Sequence, residues 1–184
     1  MLNRLAIAVT AVGVLLLGPR VLASQDSSAD VPNCPATRDP AERLWCQGGA
    51  KWESRDYNGA IPYLTRALDL YKQHPTLSKT TWRILVDNLG MAHGMAGNLR
   101  KAKEIFDYGL SVDSTYPMFY YLLADDYAEA GDENLAIDYL RRAYAHRAHG
   151  IPGETLPDPS TDDSFQRFMR DQKFLAALKE LPHD

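Results

Sequence analysis

Two histidines, His146 and His149, stand three residues apart. That spacing puts both imidazoles on one helix face and could seat a metal with Glu154 or Asp158 a few residues on. The pair is explained as well without a metal, because cations near a helix C-terminus are stabilised by the helix dipole. Two acidic doublets, Asp125-Asp126 and Asp132-Glu133, would suit acid–base work if their carboxyls converged. Neighbours at i and i+1 do not share a helix face, and Asp132 sits where a helix cap is needed. Solvated charge or contact with a partner is the better reading of both. The chain holds no G-x-S-x-G, no H-E-x-x-H, no phosphate loop and no dinucleotide fingerprint. No catalytic, cofactor or metal residue is assigned, and the chain is read as not an enzyme. A hydrolase with an unrecognised site stays the least favoured alternative.

The elements that precede these residues carry clearer signals. Arg4 is followed by an apolar run, Leu5 to Leu17, then Gly18-Pro19 and the small-residue stretch Val21-Leu22-Ala23. This reads as a cleaved secretory signal over residues 1–23, since 13 apolar residues fall short of the ~20 that span a bilayer. The protein is then periplasmic in a bacterium, or secreted. Removing residues 1–23 takes two arginines and no acid, which leaves 18 basic against 24 acidic side chains, a net charge of −6. That balance argues against nucleic acid as a partner and against membrane insertion after cleavage.

Residues 24–40 form a Pro-rich leader that contains Cys34; Cys46 follows, and the chain has no other cysteine. An even, close pair in an exported chain most often forms a disulfide, here worth about 3 kcal/mol in the chain-entropy estimate. The alternative is two thiols, with Cys46 acting as a small buried hydrophobe.

An internal repeat organises the rest. A small residue, another twelve on, a large apolar residue four later and a small one three after that occur at Gly90, Ala102, Phe106 and Gly109. Ala124, Ala136, Leu140 and Ala143 repeat the set 34 residues on, and Gly48, Ala60, Leu64 and Ala67 precede it by 42. A single amphipathic helix would not keep the twelve-residue step. A helical hairpin does, with small residues letting paired helices approach and large ones filling the space beside them. This reading explains why Gly90 stands in a helix, where glycine costs roughly 0.5–1 kcal/mol against alanine. Gly97-Asn98 and Gly131-Asp132 mark the turns, each a left-handed glycine followed by an N-cap. Arg55-Asp56 occupies the same turn in the first unit.

The pattern resembles the tetratricopeptide repeat (TPR), whose period is 34 residues. "YYLLADDY" matches its signature through Tyr120, Leu123, Ala124 and Tyr127, and "NLGMAH" matches the L-G portion with His93 in place of tyrosine. "LWCQGGAK" keeps Leu44 and Gly48 only. The resemblance covers residues 41–147, in units of about 41–74, 83–116 and 117–147, and implies an all-α superhelix, a TPR solenoid of three hairpins. The longer first interval looks like the extended repeats of kinesin light chains. His74-Pro75 ends one helix there, and Thr76 or Ser78 can cap the next.

Residues 148–163, rich in Pro, Gly and acids, read as an exposed loop. Residues 164–181 place Phe165, Phe168, Met169, Leu175 and Leu178 at helical spacing, as a capping helix or two, with Asp163 as N-cap and Asp171 as a restart. An end repeat exposes an apolar face and needs such a cap.

In this family the first helix of each hairpin lines a concave surface that binds peptide segments. The resemblance therefore implies a partner-binding groove built from Trp45, Trp52, Asp87, Met91, Met95, Met118, Tyr121, Asp125 and Glu129. No lysine occupies these slots, so the clamp that holds a C-terminal carboxylate in chaperone-binding members is not expected. Methionines and aromatics suit adaptable apolar contact, and the acids would steer a basic segment. The implied partner is a protein or peptide with apolar anchors and nearby Lys or Arg. Alternatives are a small hydrophobic ligand or lipid in the groove, and packing between repeats for each Trp and Met.

Overall fold

The computed structural model describes Cys34 and residues 36–182. The proposed signal and most of the leader lie outside the described residues. Six helices pair as three antiparallel hairpins: α1 (Pro40–Glu53) with α2 (Tyr57–Gln73), α3 (Lys79–Met95) with α4 (Leu99–Val112), and α5 (Pro117–Glu129) with α6 (Glu133–Ala145). A 3-10 turn at Arg147–His149, a 3-10 helix at Asp163–Phe168 and α7 (Gln172–Lys179) follow. No described helix is long and apolar enough to cross a membrane.

The second helix of each hairpin, and α3, start where the sequence supplies a side-chain cap. The side chains of Asp56, Asn98 and Asp132 accept from the backbone N–H three residues on, and Ser78 accepts from Thr81. Each such cap satisfies one of the orphan donors of a helix start. At the intervening turns Gly97 and Gly131 take φ of 79° and 82°, and Arg55 is forced into the same left-handed conformation at 62°. Because α3 begins at Lys79, residues 79–82 belong to the second hairpin, and Trp82 is fully buried in it. The longer first interval is absorbed by α2 and α3, at 17 residues each.

The helix contacts follow the repeat, with one change. A Cβ at Gly90 would lie 2.2 Å from Cε1 of Phe106, so the phenyl ring sits directly over the glycine rather than beside a small–small contact. Gly48 faces the Leu64 side chain in the same way at 2.5 Å, and Gly109 faces the Phe119 ring at 2.8 Å. Ala60, Ala102, Ala124 and Ala136 are all fully buried. The core has two continuous parts. One is centred on Trp82, whose ring meets Tyr71, Tyr108 and Phe119 at centroid distances of 5.7–6.3 Å. The other runs from Tyr121 through Leu140 to Phe165 and Phe174.

Cys34 and Cys46 are joined in a disulfide that ties the leader to α1. The C-terminal cap differs from a single helix: Asp162, not Asp163, caps the 3-10 helix, and Asp171 starts α7 separately. Phe165 and Phe174 are its fully buried residues.

Candidate functional site

The first helix of each hairpin touches the next, α1 with α3 and α3 with α5, so these three form a continuous inner row. The residues implied as a groove all lie on this row, but the tertiary structure divides them into three groups.

Trp45 and Trp52 are half-buried on α1 against the first core, with Trp52 tilted against Tyr57 at 4.8 Å. The indole N–H of Trp45 is buried without a partner. Met118 bridges the two halves of the core.

Asp87 and Tyr121 are not open groove residues. The segment 148–163, predicted to be an exposed loop, turns back along the inner row and covers them. The hydroxyl of Tyr116 lies 2.8 Å from Asp87 Oδ2 and 2.8 Å from Glu154 Oε1. The Tyr121 hydroxyl donates to Asp162 Oδ2 at 2.9 Å, and Phe165 packs edge-on against its ring. Arg167 then donates to the carbonyls of Ala128 and Glu129, which closes the C-terminal end of α5. Isolated Pro, Gly and acidic residues carry no periodic signal, so the sequence could not register these contacts.

Met91, Met95, Asp125 and Glu129 do converge. With Leu122 and Asp126 they line an open trough of about 410 Å³ between the C-terminal ends of α3 and α5. Met95 is 62% exposed there, which leaves a large apolar side chain free for contact. Asp126 is a correction to the sequence reading: one carboxyl was expected to turn away from its neighbour, yet both acids reach the trough. Leu99 and Phe106 of α4 line the trough as well as α3, so adjacent positions on α5 can both open onto it. Oδ1 of Asp125 and Oδ2 of Asp126 are buried without hydrogen-bond partners. Burial raises the Asp125 carboxyl well above its ordinary range, helped by the nearby charges of Asp162, Asp126 and Glu129. Burial also lifts Asp126 from 3.8 to about 7, with Asp107 and Glu129 adding to the shift and the Lys103 ammonium opposing it.

The histidine pair takes no part in this site. His146 stacks on Tyr120 with ring centroids 5.2 Å apart, and Glu154 is engaged by Tyr116 and by the backbone N–H of Ile151. Among the described residues no three potential ligands gather as a metal site.

Helical hairpins in series, an inner row of first helices and a trough on that row define an all-α superhelix of the TPR type. PcrH from Pseudomonas aeruginosa has a similar fold, at a TM-score of 0.52 and 17% identity over 80% of this chain and 95% of that one. PcrH in complex with the chaperone binding region of PopB is similar too, at a TM-score of 0.52 and 15% identity over 79% of this chain and 99% of that one. No protein-family model and no curated protein matches the chain.

Proposed function

We propose that the protein is a non-catalytic binding module that holds a segment of a partner protein on its inner row. The partner presents apolar side chains to Met91, Met95 and Leu122 and a lysine or arginine to Asp125, Asp126 and Glu129. The observation that carries this reading is the trough itself, with adaptable methionines on one side and two unpartnered carboxylate oxygens on the other. Leaving buried acceptors unsatisfied costs about 1–3 kcal/mol each. A cationic donor would remove that cost, and it would draw the raised acids back to their charged form. The similar fold of PcrH, solved with a bound region of PopB, supports the choice of a peptide-like ligand. A small hydrophobic ligand or lipid fits less well, because the trough is open and acidic. The N-terminal apolar run and the disulfide support a setting outside the cytoplasm.

Fluorescence polarisation with dye-labelled peptides tests the reading. One peptide pairs leucine anchors with arginines, and the other carries glutamine in place of each arginine. The arginine peptide should bind at least tenfold tighter, and Asp125→Asn with Asp126→Asn should abolish that preference. Binding should also release protons near pH 7, seen as calorimetric heats that depend on the buffer's ionisation enthalpy. Equal binding of both peptides, or an unchanged preference in the double variant, would refute the proposal.

A further inference from the structure

The Tyr116 phenol has one proton to donate and two carboxyls 2.8 Å away, Asp87 on α3 and Glu154 on the C-terminal segment. Two carboxylates cannot both accept it, so one carboxyl must carry a proton of its own and donate to the phenol oxygen. Asp87 fits that role. It is buried, its Oδ1 has no partner, and a neutral acid tolerates such an environment where a carboxylate does not. Glu154 is only half-buried, and its other oxygen accepts from the Ile151 N–H, as expected of the charged partner.

Glu154 belongs to a segment that is tied to α3 and α5 at several points. Arg83 on α3 donates to the His149 carbonyl at 3.0 Å, Tyr121 holds Asp162, and Arg167 holds the end of α5. We propose that residues 147–168 are a proton-locked strap over the inner face of α3 and α5, closed while Asp87 holds its proton and released when Asp87 ionises.

The charges around Asp87 favour this assignment. Glu154 faces it from the strap and favours the protonated form, and Arg83 from its own helix opposes this. Arg83 is already committed: Nε and Nη2 donate to Asp113 Oδ2, which caps α4 and also meets the Lys79 ammonium at 3.0 Å. Burial raises Asp87 well above the usual carboxylate range. Opening the strap would readmit water and remove Glu154, lowering that value again. The closed form therefore binds the proton more tightly, so closure is complete in acid and is lost as pH rises through the closed-state pKa. If the inner row binds a partner as proposed above, the strap shields Asp87 and Tyr121 from it until release.

Hydrogen exchange of the whole protein, followed by mass spectrometry and expressed as protection factors, tests the lock without any ligand. Protection of strap amides, Ile151 and Phe165 among them, should fall at least tenfold between pH 6 and pH 9, while α4 stays protected. Glu154→Gln accepts from the phenol and can donate back to it, so the shared carboxyl proton is no longer required. Burial still raises Asp87, so the fall should shrink rather than match the native profile. Tyr116→Phe should leave the strap weakly protected at every pH. The Glu154 variant lies at a half-buried position and provides the decisive comparison should the Tyr116 variant fold poorly. Strap protection with the same pH profile in the native protein and in Glu154→Gln would overturn the proposal. So would a loss shared equally by strap and α4, which would report global unfolding. A peptide that fails to bind the trough would leave these exchange results intact, so the two readings fail separately.

Discussion

Gly90→Ala isolates the contact on which the hairpin alignment rests. In an exposed helix this change stabilises by about 0.8–1 kcal/mol through backbone propensity. At Gly90 the new methyl would lie 2.2 Å from Cε1 and 2.4 Å from Cζ of Phe106. Carbon atoms in good contact stand about 3.5–4.0 Å apart, so the ring must move by more than an ångström. Phe106 is 1% exposed and packs with Val86, Leu89 and Ile105 in the same core, so the ring can relieve the overlap only by shifting toward the trough that it borders. Overpacking of this kind costs about 1–3 kcal/mol, and the steepness of the overlap places it at the upper end. The propensity gain offsets part of this, for a net loss of about 2 kcal/mol. At roughly 2–4 °C per kcal/mol for a chain of this size, melting should fall by about 4–8 °C. Gly49→Ala is the internal control, because its Cβ would meet nothing within 4 Å in the middle of α1. That variant should melt higher than the native protein. Circular dichroism at 222 nm during heating reads both, and Phe106→Leu added to Gly90→Ala should recover part of the loss. A Gly90→Ala protein that gains stability as Gly49→Ala does would refute the close approach of α3 and α4.

Three further outcomes follow from the same geometry. Arg55→Gly should stabilise by about 1 kcal/mol in thermal or urea unfolding, because it relieves a left-handed backbone that costs non-glycine residues about 1–2 kcal/mol. Arg83→Met should destabilise by about 1–3 kcal/mol, since it removes the two buried donors of the Asp113 carboxylate and leaves it to Thr115 and the exposed Lys79 ammonium. Burial opposes the charge on Asp113, but donors from Thr115, Arg83 and Lys79 outweigh it and hold the group well below the carboxylate range. Its contribution is thus present above its unfolded value near 4 and lost as pH falls below that, and Asp113→Asn should be less acid-sensitive. Asp126 has the opposite sign: raised from 3.8 to about 7, it stabilises the fold fully only below pH 4 and loses that contribution as pH climbs to 7. Melting temperature should therefore decline from pH 4 to pH 7 in the native protein and decline less in Asp126→Asn.

Local chemistry was readable from the chain by itself. The caps at Asp56, Ser78, Asn98 and Asp132, the glycines at the turns and the twelve-residue step of small residues all act within one hairpin. Their signals lie close together in sequence, and side-chain size and backbone freedom suffice to decode them. The pairing of Cys34 with Cys46 belongs to the same class, because two cysteines twelve residues apart leave one intramolecular bridge to form. The trough was half legible: Met91, Met95, Asp125 and Glu129 follow from the inner-row register. Leu122 shares that register, three residues before Asp125, whereas Asp126 stands one position round the helix from it and reaches the trough only because α4 lines it too.

The strap was decided only by the tertiary structure. Tyr116 meets Glu154 across 38 residues, Tyr121 meets Asp162 across 41, and Arg83 meets the His149 carbonyl across 66. No periodicity links such pairs, and a stretch of prolines, glycines and acids reads as solvent-exposed until a surface with matching donors is placed beneath it. Burial, and with it the proton on Asp87 and the raised acids of the trough, exists only once both surfaces have met. The sequence by itself determined the helices and their order; which faces remained open to a partner was set by long-range packing.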